Sequence, residues 1–217
     1  MYLSKISLKE SSESCEIFRN LYTLHKAIWG LFDNNADDKR DFLYRLEYGG
    51  RRPVLYAVSA RKPVDSAIWH VETKSYEPVI TNGMRLEFKL TANPVRAKRD
   101  GQKKQHRHDV IMDAKKAIDK ESDDVDRSLA GLVQEEGCKW LMERAVRYGF
   151  ALKIGDVRAD GYQQRRLFKE KRKISFSTVD FNGILIVHDR RLFVEALCKG
   201  IGHAKGFGCG MMMIRRA

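Results

Sequence analysis

Apolar and polar residues alternate from Tyr2 to Leu8, the period of a strand with one buried face. The period then lengthens. Ile17, Leu21, Leu24, Ile28 and Leu31 recur at helical spacing and predict a helix from Glu13 to Phe32, with a short helix to follow over Asp38 to Leu46. Val54 to Ser59 and Ala67 to Tyr76 read as strands, which leaves the first unit strand, helix, strand, strand with an unclear end. Alternation resumes at Met84 to Thr91. Arg96 to Asp126 is densely charged and poor in large apolar residues, the pattern of an exposed, partly disordered excursion. A helix is predicted from Leu132 to Tyr148, stopped by Gly149. Two long strands, Ala151 to Phe168 and Ile174 to Val187, precede a helix at Arg190 to Lys199 and a strand at Gly210 to Arg215. The order βαββαβ predicts an α+β protein of two tandem ferredoxin-like domains, the arrangement RNA-recognition domains also use. The division falls at residues 1–82 and 83–217.

Charge narrows the partner. The 217 residues hold 41 Lys and Arg against 29 Asp and Glu, a net +12. Residues 151–217 carry 14 basic and 6 acidic side chains, so most of the excess lies in the last third. Such a concentrated field points to a polyanion, nucleic acid before an anionic membrane. The longest aliphatic run, Ile184 to Val187, is far too short to span a bilayer, and no apolar signal region opens the chain. No membrane partner is expected, and the cytoplasm is the simplest location. Cys15, Cys138, Cys198 and Cys209 show no C-x-x-C spacing, so isolated thiols are expected rather than a zinc or redox site.

Five of the sixteen glycines fall between Gly200 and Gly210, around Lys205. Lys205 stands where the last glycine of a dinucleotide fingerprint belongs, and no G-K-[ST] is present. The loop is either a tightly packed turn or an anion cradle, in which the amides of Gly202, Gly206 and Gly208, with Lys205 and His203, meet a phosphate. The segment Arg165 to Lys173 has six basic residues in nine: Arg165, Arg166, Lys169, Lys171, Arg172 and Lys173. It is expected to be a hairpin end that grips nucleic acid mainly through phosphates. His25 borders the apolar stripe of the first helix, with Phe18, Tyr22 and Trp29 on the same neighbouring stripe. It either transfers protons, with Tyr22 orienting it, or merely covers the edge of the core. His70 and His188 read as sheet residues, and His106 and His108 form an H-x-H pair without further ligands. No converging carboxylates mark a two-metal nuclease, so neither a metal nor a cofactor is expected.

Several of these segments resemble one family. Met1 to Lys5, Leu21 to Trp29, Arg40 to Glu47, Leu90 to Pro94 and the run Gly200 to Gly210 look like CasE, the CRISPR-repeat endoribonuclease of type I-E systems. The resemblance implies tandem ferredoxin-like domains and metal-independent cleavage of precursor CRISPR RNA at the base of the repeat stem-loop. The upstream 2′-hydroxyl would attack, leaving a cyclic phosphate. It implies His25 and Tyr22 as the catalytic pair, and residence on the mature guide RNA beside the other Cascade subunits, with a monomer when free. The charge pattern alone still admits a non-catalytic RNA-hairpin binder or a DNA-binding protein.

Overall fold

The alternation at the N-terminus becomes strand β1 (Tyr2–Leu8), which turns Ile6 and Leu8 inward to a helix, α1 (Leu21–Trp29). The computed structural model describes residues 1–9, 17–18, 20–32, 40–49, 52–99, 105–121, 128–169 and 172–217. Within it, β2 (Phe42–Glu47), β3 (Val54–Ser59) and β4 (Trp69–Ser75) complete an antiparallel sheet of order β2-β3-β1-β4. Leu24 and Ile28 of α1 lie against Ile6, Phe42, Tyr44, Leu55 and Trp69 of this sheet. Residues 60–68 join β3 to β4 where a second helix would complete the repeat.

The second half fills the pattern. β5 (Arg85–Ala92) leads to a hairpin of β6 (Val95–Arg99) and β7 (Gln105–Asp109), then α2 (Val110–Glu121) and α3 (Leu129–Ala145). Strands β8 (Phe150–Lys169) and β9 (Arg172–Val187), α4 (Arg190–Lys199) and β10 (Met212–Arg216) follow. The sheet order is β10-β5-β9-β8, all antiparallel. Without the β6–β7–α2 insertion, both sheets have one topology, and the protein is a tandem of ferredoxin-like domains. The second core gathers Leu90, Trp140, Phe150, Phe181 and Phe193 between sheet and helices.

Three expectations change. The short helix expected over Asp38 to Leu46 is instead strand β2, with residues 38 and 39 outside the described residues. Phe42 and Tyr44 face the first core, while Leu43 faces Val58 and Met211 at the junction between the domains. Burial on both sides replaces strand alternation with a continuous apolar run. The helix expected from Glu13 begins at Leu21, where the Asn20 side chain accepts from Tyr22 N at 2.8 Å; residues 10–16 and 19 lie outside the described residues. Of the excursion Arg96 to Asp126, residues 96–99 and 105–121 form the β6–β7 pair and α2, and residues 100–104 and 122–126 lie outside the described residues. The Asp109 side chain holds this insertion by accepting from Ile111 N and from the Tyr162 hydroxyl. Cys138, Cys198 and Cys209 are free thiols, and Cys15 lies outside the described residues. Among the described residues no helix is long and apolar enough to cross a membrane.

Candidate active site at the domain junction

The placement of α1 decides where His25 goes. Leu24 and Ile28 anchor the helix on its own sheet, so His25, one residue round, stands at the border facing the second domain. There its Nδ1 lies 2.6 Å from the carbonyl oxygen of Gly206. A carbonyl only accepts, so Nδ1 carries a proton and Nε2 is the unprotonated nitrogen of the neutral ring. The hydroxyl of Tyr44, buried on β2, donates to the same carbonyl at 3.0 Å. Burial pushes the Tyr44 phenol well above its ordinary range, which keeps it a donor.

Rings surround the imidazole. Phe207 lies 5.4 Å from it, centroid to centroid, and stacks on Phe176 of β9 at the same separation. Tyr22 lies alongside at 6.5 Å with nearly parallel rings, and the ammonium of Lys26 sits 5.0 Å over the Tyr22 ring. The pair expected from helical spacing is therefore brought together.

The glycine loop is a packed junction. Gly200, with φ 75°, turns the chain where an added Cβ would stand 2.8 Å from Leu43. Gly202 and Gly208 lie against Trp140 and Tyr44 respectively. At Gly206 the missing side chain leaves a gap: a Cβ there would stand 3.4 Å from His25 Cε1 and 3.6 Å from Arg40 Nη1. Lys205 donates from Nζ to the Lys199 carbonyl at 2.7 Å, so it also caps the end of α4. Burial, then the charge of Arg40, lowers the Lys205 pKa; burial lowers that of Arg40. His203 bridges through its backbone to Asn93, and burial, Arg107, Lys205 and Arg144 together lower its pKa.

Arg165 pairs across the β8–β9 hairpin with Phe176, and so reaches the ring stack beside His25. With Phe176, Phe207, Tyr44 and Arg45 it lines a cleft of about 350 Å³ between the domains. Arg166 and Lys173 are exposed farther along the hairpin. Lys169 opposite Arg172 closes its described part, and Lys171 lies outside the described residues. The H-x-H pair stays apart from this site: His108 Nδ1 is 3.5 Å from Asp113. Among the described residues no group of three or more His, Cys, Asp or Glu is placed to hold a metal ion.

The sequence matches the family described as CRISPR associated protein over residues 1–216. It is 30% identical to the CRISPR system Cascade subunit CasE of Escherichia coli, over 99% of this chain and 98% of that protein. The chain belongs to the CasE family of CRISPR-associated proteins. A second relative, the CRISPR-associated endoribonuclease Cse3 of Thermus thermophilus, is 24% identical over 99% of each chain. The crystal structure of the CRISPR-associated protein Cas6e from Escherichia coli superposes with a TM-score of 0.68 at 25% identity, covering both chains fully.

Two residues of the site escaped the sequence reading. Arg40 and Tyr44 both lie in the segment Asp38 to Leu46 read as helix, and neither carried a signal beyond membership of the Arg40 to Glu47 stretch that resembles CasE.

Proposed function

We propose that this CasE-family protein is a metal-independent endoribonuclease of precursor CRISPR RNA. It grips the repeat stem-loop, cuts at its base and stays on the mature guide RNA within Cascade. The 2′-oxygen upstream of the cut loses its proton and bonds to phosphorus. The bond from phosphorus to the 5′-oxygen breaks, that oxygen takes a proton, and a 2′,3′-cyclic phosphate remains. The observation that carries this reading is the His25–Gly206 bond, which fixes one tautomer of the neutral imidazole and makes Nε2 its basic nitrogen. Tyr22 flanks the imidazole as its partner. Lys205 and the amides of Gly202, Gly206 and Gly208, with His203, border the phosphate. Arg165, Arg166, Lys169, Lys171, Arg172 and Lys173 form the grip on the stem. The domains divide at 1–82 and 83–217, the protein is a cytoplasmic monomer when free, and family membership supports its assembly with the other Cascade subunits.

Cleavage of the host's CRISPR-repeat RNA in EDTA tests this. The wild type cuts once below the stem and leaves the cyclic end. His25→Ala slows cutting by about 10²–10⁴-fold, the usual contribution of a positioned acid or base, while RNA binding persists. Equal cutting by His25→Ala sinks the residue assignment; binding without any cutting makes the protein a hairpin-capping subunit. A 2′-deoxy sugar upstream of the cut removes the nucleophile, and cutting of that substrate refutes the mechanism.

A further inference from the structure

Arg40 and Lys205 present two cations at the domain junction beside His25. Arg40 precedes β2, half-buried, and its Nη1 lies 3.6 Å from the point where a Gly206 side chain would begin. His25 Cε1 is 3.4 Å from that same point, so guanidinium and imidazole both border the space beside Gly206. Among the described residues no carboxylate pairs with Arg40. The nearest described ones in sequence are committed: Asp41 takes both prongs of Arg61, at 2.8 and 2.9 Å, and Glu47 pairs with Arg45, while Asp37 and Asp38 lie outside the described residues. Lys205 is turned to a backbone carbonyl, which leaves its charge unneutralised, and its field and that of Arg40 overlap. Two cations taken partly out of water without a described counter-charge oppose folding, and an anion joining them relieves it.

We propose that Arg40 is a catalytic residue that contacts the non-bridging oxygens of the scissile phosphate, with Lys205 as its flanking charge. This rests on the endoribonuclease reading and deepens it. A planar guanidinium matches two phosphate oxygens at once, which a lysine ammonium does not. Negative charge on those oxygens grows as the 2′-oxygen attacks, so a fixed cation there stabilises the transition state more than the bound substrate. A phosphate oxygen in the space beside Gly206 would touch Arg40 and lie beside the His25 ring, so one position brings the charge and the proton-transferring side chain to the same phosphate.

Single-turnover cleavage at saturating repeat RNA separates the possibilities, with affinity read on the uncleavable 2′-deoxy substrate. Arg40→Gln slows the chemical step by about 10²–10³-fold, the cost of removing one oxyanion donor. Its affinity stays within about threefold, because one phosphate contact among many is lost. Arg40→Lys keeps the charge, cuts at an intermediate rate, and carries the test if Arg40→Gln fails to fold by circular dichroism. A sulfur in place of a non-bridging oxygen slows the wild type but barely slows Arg40→Gln further, a non-additivity that a purely structural arginine does not produce. Wild-type rates in Arg40→Gln, a loss confined to affinity, or a sulfur effect undiminished by the mutation overturns the assignment and leaves the endoribonuclease standing. A wild type that does not cut removes the reaction and the assignment together.

Discussion

Gly200 and Gly206 stand in one loop, yet a methyl group added to each meets a different neighbourhood. At Gly206 it reaches ordinary contact distance, 3.4 Å from His25 Cε1 and 3.6 Å from Arg40 Nη1, with no positive φ to strain. Gly206→Ala should therefore fold with a melting temperature within about 2 °C of wild type, as surface-scale substitutions do. The methyl nevertheless takes up the space that imidazole and guanidinium both border, so cleavage should fall by at least about tenfold if a reacting phosphate must sit there. Full activity in a normally folded Gly206→Ala would show that the gap plays no part. At Gly200 the methyl stands 2.8 and 2.9 Å from the Leu43 methyls with φ at 75°. Backbone strain of about 1–2 kcal/mol and overpacking of about 1–3 kcal/mol predict a drop of several degrees in a thermal melt. This contrast marks what was legible at the residue scale. His25 and Tyr22 were readable because helical spacing makes neighbours of residues three apart. The Gly206 carbonyl that orients His25 was not, because every residue carries a carbonyl and only the fold aims one.

Among the elements, β2 carries the largest difference between sequence and structure. Its Phe42-Leu43-Tyr44 run is buried on both faces because it sits between its own core and the second domain, and two-sided burial erases the alternation that marks a strand. The β6–β7 hairpin was obscured for the opposite reason: its strands are mostly charged, and ion pairs from Arg96 to Glu143 and Lys98 to Asp113 fasten it to the neighbouring helices. The β8–β9 hairpin was legible, since basic residues clustered between two alternating runs have few other places to go. Its two faces differ. Arg165 and Phe176 form one cross-strand pair on the side of the ring stack, whereas Arg166 with Ser175 and Phe168 with Lys173 share the other face. If the second face holds the RNA stem, Arg166→Ala with Lys173→Ala should lower the slope of log affinity against log salt by about one per lost phosphate contact, or about two in all. Saturating RNA should restore the wild-type single-turnover rate, because neither side chain reaches His25. An unchanged slope measured by filter binding across a salt series would place the stem elsewhere.

At the scale of the whole molecule the candidate site belongs to neither domain. His25, Tyr44 and Arg40 come from the first half and the Gly206 carbonyl from the second, so the hydrogen bonds that orient the imidazole exist only while the domains are docked. Docking rests on a small apolar cluster of Leu43, Val58 and Met211, with Leu3, Tyr56 and Tyr76 at its edge. Met211 is 2% exposed and reaches this cluster from the segment between the glycine loop and β10. Met211→Ala should cost about 2–5 kcal/mol in a chemical melt, the range for truncating a buried methionine. A cluster this small opens before either core does, so the loss should appear first as undocking. Cleavage should then fall while circular dichroism still reports both domains folded, and stem-loop affinity, if the β8–β9 hairpin within the second domain holds it, should change by much less. Hydrogen exchange gives the independent check: amides of the Gly200 to Gly210 loop should lose protection in Met211→Ala while those of β5 and β9 keep theirs. Activity that simply tracks the folded fraction would show instead that domain docking and folding are one transition, and that the junction has no separate stability of its own.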